Sequence, residues 1–113
     1  MATTAILGEN GEKKAAEFLK QKGWLILSKN YRYKHGEIDI IGLDKGILVF
    51  VEVKYRKNNR FGFPEDFVST HKRNMVRKTA MHYILKENWT KNIRFDIISI
   101  TGMEKPEHFE DAF

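Results

Sequence analysis

Two carboxylates interrupt the most strongly strand-like stretches of this sequence. Asp39 lies between isoleucines, Glu52 lies between valines, and Lys54 follows Glu52 two positions further on. Because strand side chains alternate between faces, Glu52 and Lys54 must share one face of their strand. Opposed carboxylates repel unless one is protonated or a cation lies between them, and such oxygen pairs suit Mg²⁺ or Mn²⁺. A lysine beside that metal can orient or deprotonate a water, so the pattern predicts a hydrolytic metal site.

Whether Asp39 faces Glu52 depends on the register of the hairpin that joins their strands. A two-residue turn over 45–46, or a four-residue loop over 44–47, pairs Asp39 with Glu52 and places their β-carbons ~5 Å apart. A turn with Gly46 as a bulge shifts the pairing by one residue and sends Asp39 to the opposite face. Turn chemistry leaves both registers open, because the lysine at position 45 is not an ideal residue for positive φ.

A third carboxylate, Glu12, borders the apolar face of the predicted first helix, since Ala15 and Leu19 follow it at helical spacing. If that face packs on the sheet, Glu12 can add another oxygen ligand, directly or through a water. The alternative for Glu12 is a glutamate near a helix N-terminus that interacts with the helix dipole. The alternative for the strand residues is a salt-bridge cluster on a solvated sheet face, with Glu37 against Lys54.

Hydrophobic periodicity and turn-forming residues predict the helices and strands that must position these residues. Gly23 ends the first helix and Gly36 turns the chain after the first strand. The sequence predicts a helix over 8–22, strands within 24–35 and over 37–43 and 47–53, an exposed loop over 57–64, a helix from Ser69 or Thr70 to about Lys86, and a strand over 93–100. The order α-β-β-β-α-β predicts one α/β domain over 1–113, with a central mixed sheet and helices packed on it.

Composition limits the class of protein and the kind of partner. With 113 residues, 42% of them hydrophobic, the chain can bury one core. No apolar run approaches the ~20 residues of a membrane span, so we expect a soluble, cytoplasmic protein without membrane contact. The absence of cysteine excludes disulfides and thiolate zinc sites. The net charge is +5 although the tail over 104–113 is acidic, and this basic body fits a polyanionic partner such as nucleic acid.

Cations and aromatic residues alternate around the predicted hairpin and on the second helix. For each single cation, the alternative role is ordinary solvated surface charge. The tyrosines and phenylalanines at positions 31, 33, 55, 61 and 63 could stack on unpaired bases. The candidate phosphate contacts are Arg32, Lys34, Arg56, Lys57, Arg60, Lys72 and Arg73, with further cations at positions 77 and 78.

Several motifs occur together and in order along nearly the whole chain. The motifs are Gly11-Glu12, Ala15-Ala16, Asn30, Arg32, Gly36–Ile41, Val49–Lys54, Arg56, Arg94–Asp96, His108-Phe109 and Ala112-Phe113. From them the chain is identified as a member of the YraN-like family of small uncharacterised bacterial proteins. That family resembles the PD-(D/E)XK nucleases, which share the restriction-endonuclease fold, and its nearest analogues are archaeal Holliday-junction resolvases.

The resemblance implies a restriction-endonuclease-like fold in which Asp39 and Glu52 chelate Mg²⁺ or Mn²⁺. Glu12 and the carbonyl of Val53 complete the set of ligands, and Lys54 positions the attacking water. The resemblance also implies the hairpin register that brings Asp39 and Glu52 to one face. In one departure from the nuclease motif, an isoleucine replaces the proline before the aspartate, although Gly-Glu-Ile-Asp is the family's own version.

The function implied is a Mg²⁺-dependent, structure-selective DNA endonuclease that acts on branched or single-strand-containing DNA. By analogy with resolvases, such an enzyme would cut two strands as a homodimer. One alternative is a nucleic-acid-binding adaptor that keeps the fold and the basic surface without turnover. Another is a partner-binding module whose carboxylates are structural, which would bind neither metal nor DNA.

Overall fold

The computed structural model describes the backbone of residues 4–56, 69–102 and 105–113, and the side chains of 11–55, 69–102 and 105–113. The predicted order of helices and strands is confirmed, and the fold is a mixed α/β domain. The tail gains a strand, β5, that the sequence pattern does not predict, and the loop predicted over 57–64 lies outside the described residues. The elements are α1 Thr4–Gln21, β1 Leu25–Tyr33, β2 Gly36–Asp44, β3 Ile47–Arg56, α2 Thr70–Glu87, β4 Ile93–Thr101 and β5 Glu107–Phe109.

The five strands form one sheet in the order β1-β2-β3-β4-β5. β1, β2 and β3 are antiparallel neighbours, β3 and β4 are parallel, and β5 is antiparallel to β4. A parallel pair needs a crossover connection, and α2 lies in the segment that joins β3 to β4. The mixed sheet predicted from the sequence is therefore confirmed.

Strand β3 is central and contributes to a hydrophobic core on each face of the sheet. Leu48 and Phe50 pack in the cluster that contains residues of α2, whereas Val49 and Val51 pack in the cluster that contains residues of α1. All four side chains are buried, and each such burial stabilises the fold by about 1.5–3 kcal/mol. By the same alternation, Glu52 follows on the α2 face.

The hairpin between β2 and β3 has the register that the metal-site hypothesis requires. Lys45 and Gly46 form a two-residue turn with φ of 49° and 85°, and Asp44 pairs with Ile47 across it. Two positive φ values match the twist of the flanking strands, which outweighs the cost at a lysine. The shifted register with a bulge at Gly46 is therefore not the one that forms.

The alternation of side chains in β2 breaks at Asp39. Ile38 packs in the core cluster beside α2, and Ile40, two residues later, packs in the cluster beside α1. The neighbouring β1 is also irregular here, because Asn30, which lies opposite this position, has φ of 54°. Regular strand geometry would have put both isoleucines on one face. Because of this irregularity, the Asp39 side chain does not point in the direction that regular alternation along β2 would give it.

Helix α2 begins at a cap and packs closely on the start of β2. Ser69 accepts a hydrogen bond of 3.1 Å from the backbone N–H of Lys72, which confirms the predicted cap. A Cβ added to Gly36 would lie 2.0 Å from Thr79 Oγ1 and 3.1 Å from the carbonyl oxygen of Met75. Only glycine permits this approach, which brings the first turns of α2 beside the carboxylates of β2 and β3. Neither described helix has the length and hydropathy of a membrane span.

A buried polar network fastens the C-terminal tail to β4. Asp96 is fully buried and accepts hydrogen bonds from Arg94 at 2.8 Å, from His108 Nε2 at 2.7 Å and from the backbone N–H of Asp111 at 2.9 Å. Burial by itself raises the pKa of Asp96, but these hydrogen bonds outweigh it and hold the pKa below its ordinary value. The network explains why β5 can pair with β4 although it has only three residues.

Candidate metal centre

Three carboxylates converge where β2 and β3 separate. Glu12 of α1 and Glu37 and Asp39 of β2 each offer an oxygen within 4.8 Å of the oxygens of the other two. The three residues are half-buried. Ala15 and Leu19, on the same side of α1, are fully buried in the core that α1 shares with the sheet. Packing of that helix face therefore directs Glu12 towards β2, as the helical spacing predicts.

Asp39 is fixed by the backbone of the neighbouring strand. Its Oδ2 accepts a hydrogen bond of 2.8 Å from the backbone N–H of Val53, beyond the last paired residues of the β2–β3 ladder. The pKa of Asp39 is raised to about 7, and burial is the largest cause. The negative charges of Glu52, Glu12 and Glu37 also raise this pKa, whereas the hydrogen bond from Val53 lowers it. The raised pKa means that burial and the neighbouring carboxylates outweigh the hydrogen bond from Val53 and disfavour the charged form of Asp39.

Glu52 lies beside the cluster but contacts two lysines. Its Oε1 is 3.2 Å from Lys72 Nζ of α2 and 3.7 Å from Lys54 Nζ of β3. The Glu52 side chain is only 8% exposed, so this is a largely desolvated charge that the two lysines neutralise. Within the part of the chain that the structure describes, the group of convergent carboxylates does not include Glu52.

Val53 presents its backbone to the cluster. In a strand, the N–H and the carbonyl of one residue point to the same neighbour. Since the Val53 N–H donates to Asp39, its carbonyl is directed to the same side of β3. The Val53 side chain packs against the core beside α1. The position predicted for a carbonyl ligand is thus compatible with the strand geometry.

Two participants in this site carry roles that the sequence analysis did not give them. The sequence pattern suggests Glu37 only as a salt-bridge partner of Lys54. In the structure Glu37 lies with Asp39 and also contacts Arg32, whose Nε is 3.8 Å from its Oε2. The two-residue spacing of Glu37 and Asp39 in β2 is the signal for it in the sequence, although the alternation of the strand breaks at Asp39. Lys72 was a candidate phosphate contact, and no local pattern could show that α2 brings it to Glu52.

The other candidate phosphate contacts are distributed unevenly. Lys34 is exposed beside the aromatic ring of Tyr33. Arg73 is half-buried, and its Nε finds no hydrogen-bond acceptor among the described residues. The Arg56 side chain, Lys57, Arg60 and the phenylalanines at positions 61 and 63 lie outside the described side chains.

The fold and the site define a small mixed α/β domain that carries a carboxylate cluster and two lysines where two strands of its sheet separate. The chain belongs to the uncharacterised protein family UPF0102, whose model matches residues 11–100. The matched range includes Glu12, Asp39, Glu52 and Lys54. The family identified from the sequence motifs is therefore confirmed.

The chain is similar over nearly its full length to UPF0102 proteins of several bacteria. It is 49% identical over 105 residues to one from Cytophaga hutchinsonii, with 93% of each chain covered. It is 43% identical over 116 residues to one from Flavobacterium psychrophilum, covering 100% of this chain and 98% of the relative. A relative from Clostridioides difficile is 46% identical over 108 residues, with 94% and 95% covered.

Proposed function

We propose that this protein is a Mg²⁺-dependent, structure-selective DNA endonuclease, as its resemblance to the PD-(D/E)XK nucleases implies. The observation that carries the proposal is the convergence of Glu12, Glu37 and Asp39 beside an ion-paired Glu52 and its two lysines. Carboxylates brought this close repel one another, and a folded domain tolerates them when a cation joins them.

The residues present fit a hard divalent cation. Every candidate ligand is an oxygen, which favours Mg²⁺ or Mn²⁺ over metals that prefer nitrogen or sulfur. Asp39, Glu12 and Glu37 would hold the ion, with the Val53 carbonyl beside them. When bound, the metal would stabilise negative charge on the phosphoryl oxygens and lower the pKa of a water ligand.

The lysines have a separate task beside the carboxylates. Glu52 holds Lys54 Nζ and Lys72 Nζ within 4 Å of one oxygen, so both ammonium groups are positioned before substrate arrives. Lys54 orients the attacking water, and Lys72 contacts the scissile phosphate and offsets the negative charge that develops on it. Arg73 and Lys34 contact neighbouring phosphates.

We also propose different roles for Glu37 and Glu52. Because Glu37 lies among the convergent oxygens and Glu52 contacts lysines, we expect Glu37→Gln to lower Mg²⁺ affinity more than Glu52→Gln does. The resemblance assigns Glu52 to the metal, and calorimetric titration of Mg²⁺ into both variants decides between the two roles. A loss of affinity of at least ~10-fold in Glu52→Gln alone would make Glu52 the ligand and Glu37 a bystander.

Cleavage of labelled DNA tests the proposed function. Four-way-junction, flap, duplex and single-stranded DNA are incubated with the protein in Mg²⁺, Mn²⁺ or EDTA. We expect cleavage of a branched or single-strand-containing substrate that requires metal and disappears in Glu52→Gln. Glu17→Gln, an exposed carboxylate of the same helix as Glu12, is the matched control and should cut normally. Absence of cleavage under every condition would contradict the proposal.

A nucleic-acid-binding adaptor is the second candidate function. The observation that favours it is the neutralisation of Glu52 by Lys54 and Lys72, which satisfies that buried charge without a metal. An adaptor would bind the same DNA in EDTA and in Mg²⁺ without cutting it. Its affinity would fall with rising salt, since phosphate contacts release counterions.

A further inference from the structure

A groove of about 580 Å³ opens between the end of β1 and helix α2. Its volume lies in the range typical of small-molecule sites. Met81 is 52% exposed and Leu85 is 68% exposed, so the apolar wall of the groove is accessible to solvent. The residues that matter for its chemistry are Tyr33, Lys34, Met75, Lys78, His82 and Leu85.

An aromatic pair forms one wall of this groove. The rings of Tyr33 and His82 stack with centroids 3.9 Å apart and planes inclined by 11°. Tyr31 Oη is 2.6 Å from His82 Nδ1, which fixes the orientation of the imidazole. Tyr31 in turn packs edge-on against the buried ring of Tyr83. The pair is therefore held in place before any ligand binds, which reduces the entropy lost on binding.

Cations border the groove. Lys34 and Lys78 line it and are exposed, and Lys34 Nζ lies 5.4 Å from the centre of the Tyr33 ring. Apolar and aromatic walls with ammonium groups at the edge match a planar, weakly polar ring that is joined to an anion. A nucleobase attached to its phosphate has this chemistry, whereas an uncharged apolar peptide would leave both lysines without partners.

The groove continues towards the carboxylate cluster. A smaller pocket of about 270 Å³ shares His35 and Met75 with it and is also lined by Glu37 and Lys72. Glu37 belongs to the convergent carboxylates, and Lys72 contacts Glu52. A strand that places one phosphate at the metal centre can therefore extend directly into the groove.

We propose that this groove binds an unpaired nucleobase of a strand whose neighbouring phosphate lies at the carboxylate cluster. A base inside a continuous duplex is stacked and paired, so it would have to leave the helix at a cost before it could enter. The inference rests on the proposed function and specifies its substrate class: DNA with unpaired nucleotides beside the scissile bond, bound in preference to continuous duplex.

Fluorescence of 2-aminopurine tests this site without any need for cleavage. A single-stranded oligonucleotide that carries the probe is titrated with full-length protein in EDTA, since stacking on aromatic side chains quenches the probe. We expect quenching with wild type and with Tyr33→Phe, which keeps the ring. Tyr33→Leu should lose the quenching and bind about 10-fold more weakly. Unchanged thermal unfolding of Tyr33→Leu would show that its fold is intact.

The outcomes separate this inference from the proposed function. Metal-dependent cleavage by wild type together with unchanged quenching in Tyr33→Leu would overturn the base site and leave the nuclease. Quenching that depends on Tyr33, without cleavage in Mg²⁺, would support the base site and contradict the nuclease. The alternative is that a second copy of the chain covers the groove. In that case Leu85→Glu would convert a dimer to a monomer in sedimentation without changing the quenching, and this result would also overturn the inference.

Discussion

The most informative single residue is Asp39, because its environment conflicts with its charge. Burial and three neighbouring carboxylates raise its pKa, while one backbone N–H opposes them. Such conflicts occur where a bound cation completes the site, and they cluster at functional positions. Asp96 is the contrasting case, since Arg94, His108 and the backbone N–H of Asp111 all donate hydrogen bonds to its carboxylate. Its burial therefore serves the fold and leaves no ligand to be explained.

The raised pKa of Asp39 predicts how stability depends on pH. A carboxyl group whose pKa rises from 3.8 to about 7 on folding contributes stability below about pH 4, and this contribution is lost as pH rises through 7. We therefore expect Mg²⁺ to raise the melting temperature at pH 8 and to have little effect at pH 5. Asp39→Asn should remove this dependence. An equal effect of Mg²⁺ on wild type and variant, measured by circular dichroism, would contradict the assignment.

Helices and strands position the site through several contacts, and only some of these contacts can be predicted from local sequence patterns. Helical spacing predicts that Glu12 faces the sheet, and the structure agrees because Ala15 and Leu19 are buried beside it. Turn chemistry leaves the hairpin register open, because a lysine at positive φ is unusual, although it occurs here at Lys45. Tertiary packing alone brings Lys72 to Glu52, so no local pattern could predict that contact. The irregular geometry at Asp39 also depends on the neighbouring β1, so it cannot be predicted by counting alternate residues along β2.

Strand β5 also depends on tertiary contacts, so it is absent from the sequence prediction. A strand of three residues has no usable periodicity. It is ordered by His108, whose ring donates to the buried Asp96, and by pairing with β4. Those contacts join residues far apart in sequence, and the sequence shows only that Arg94 and Asp96 share a strand face. In the structure these two side chains form an ion pair, with Arg94 Nη2 2.8 Å from Asp96 Oδ2.

The close approach of α2 to β2 at Gly36 can be tested by substitution. A Cβ there would collide with Thr79 Oγ1 and crowd the carbonyl of Met75, so α2 would have to move away from β2. We expect Gly36→Ala to destabilise the fold by about 1–3 kcal/mol, as overpacking does. Thr79→Ala in the same chain should restore part of that loss, because it removes the nearest atom. Urea unfolding of the single and double variants provides the measurement, and equal stability of Gly36→Ala and wild type would refute the close approach.

Among the described residues, β1 lies at one edge of the sheet. Leu25 and Leu27 of this strand are 59% and 41% exposed, and an exposed apolar edge is a site where a second copy can pair. We predict a homodimer through β1, which also suits an enzyme that cuts two strands. Sedimentation velocity should show a dimer for wild type and a monomer for Leu27→Lys. A monomeric wild type, with and without DNA, would rule out the dimer.

Glu12, Glu37 and Asp39 are proposed to hold a divalent metal. The most direct test of this proposal is anomalous diffraction from crystals soaked in MnCl₂, since Mn²⁺ occupies oxygen-ligand sites for Mg²⁺ and scatters anomalously. We predict a peak bonded to oxygens of these three carboxylates, and no peak in crystals of Asp39→Asn. Absence of a peak in the wild type at saturating Mn²⁺, or a peak only at some other surface carboxylate, would contradict the proposal.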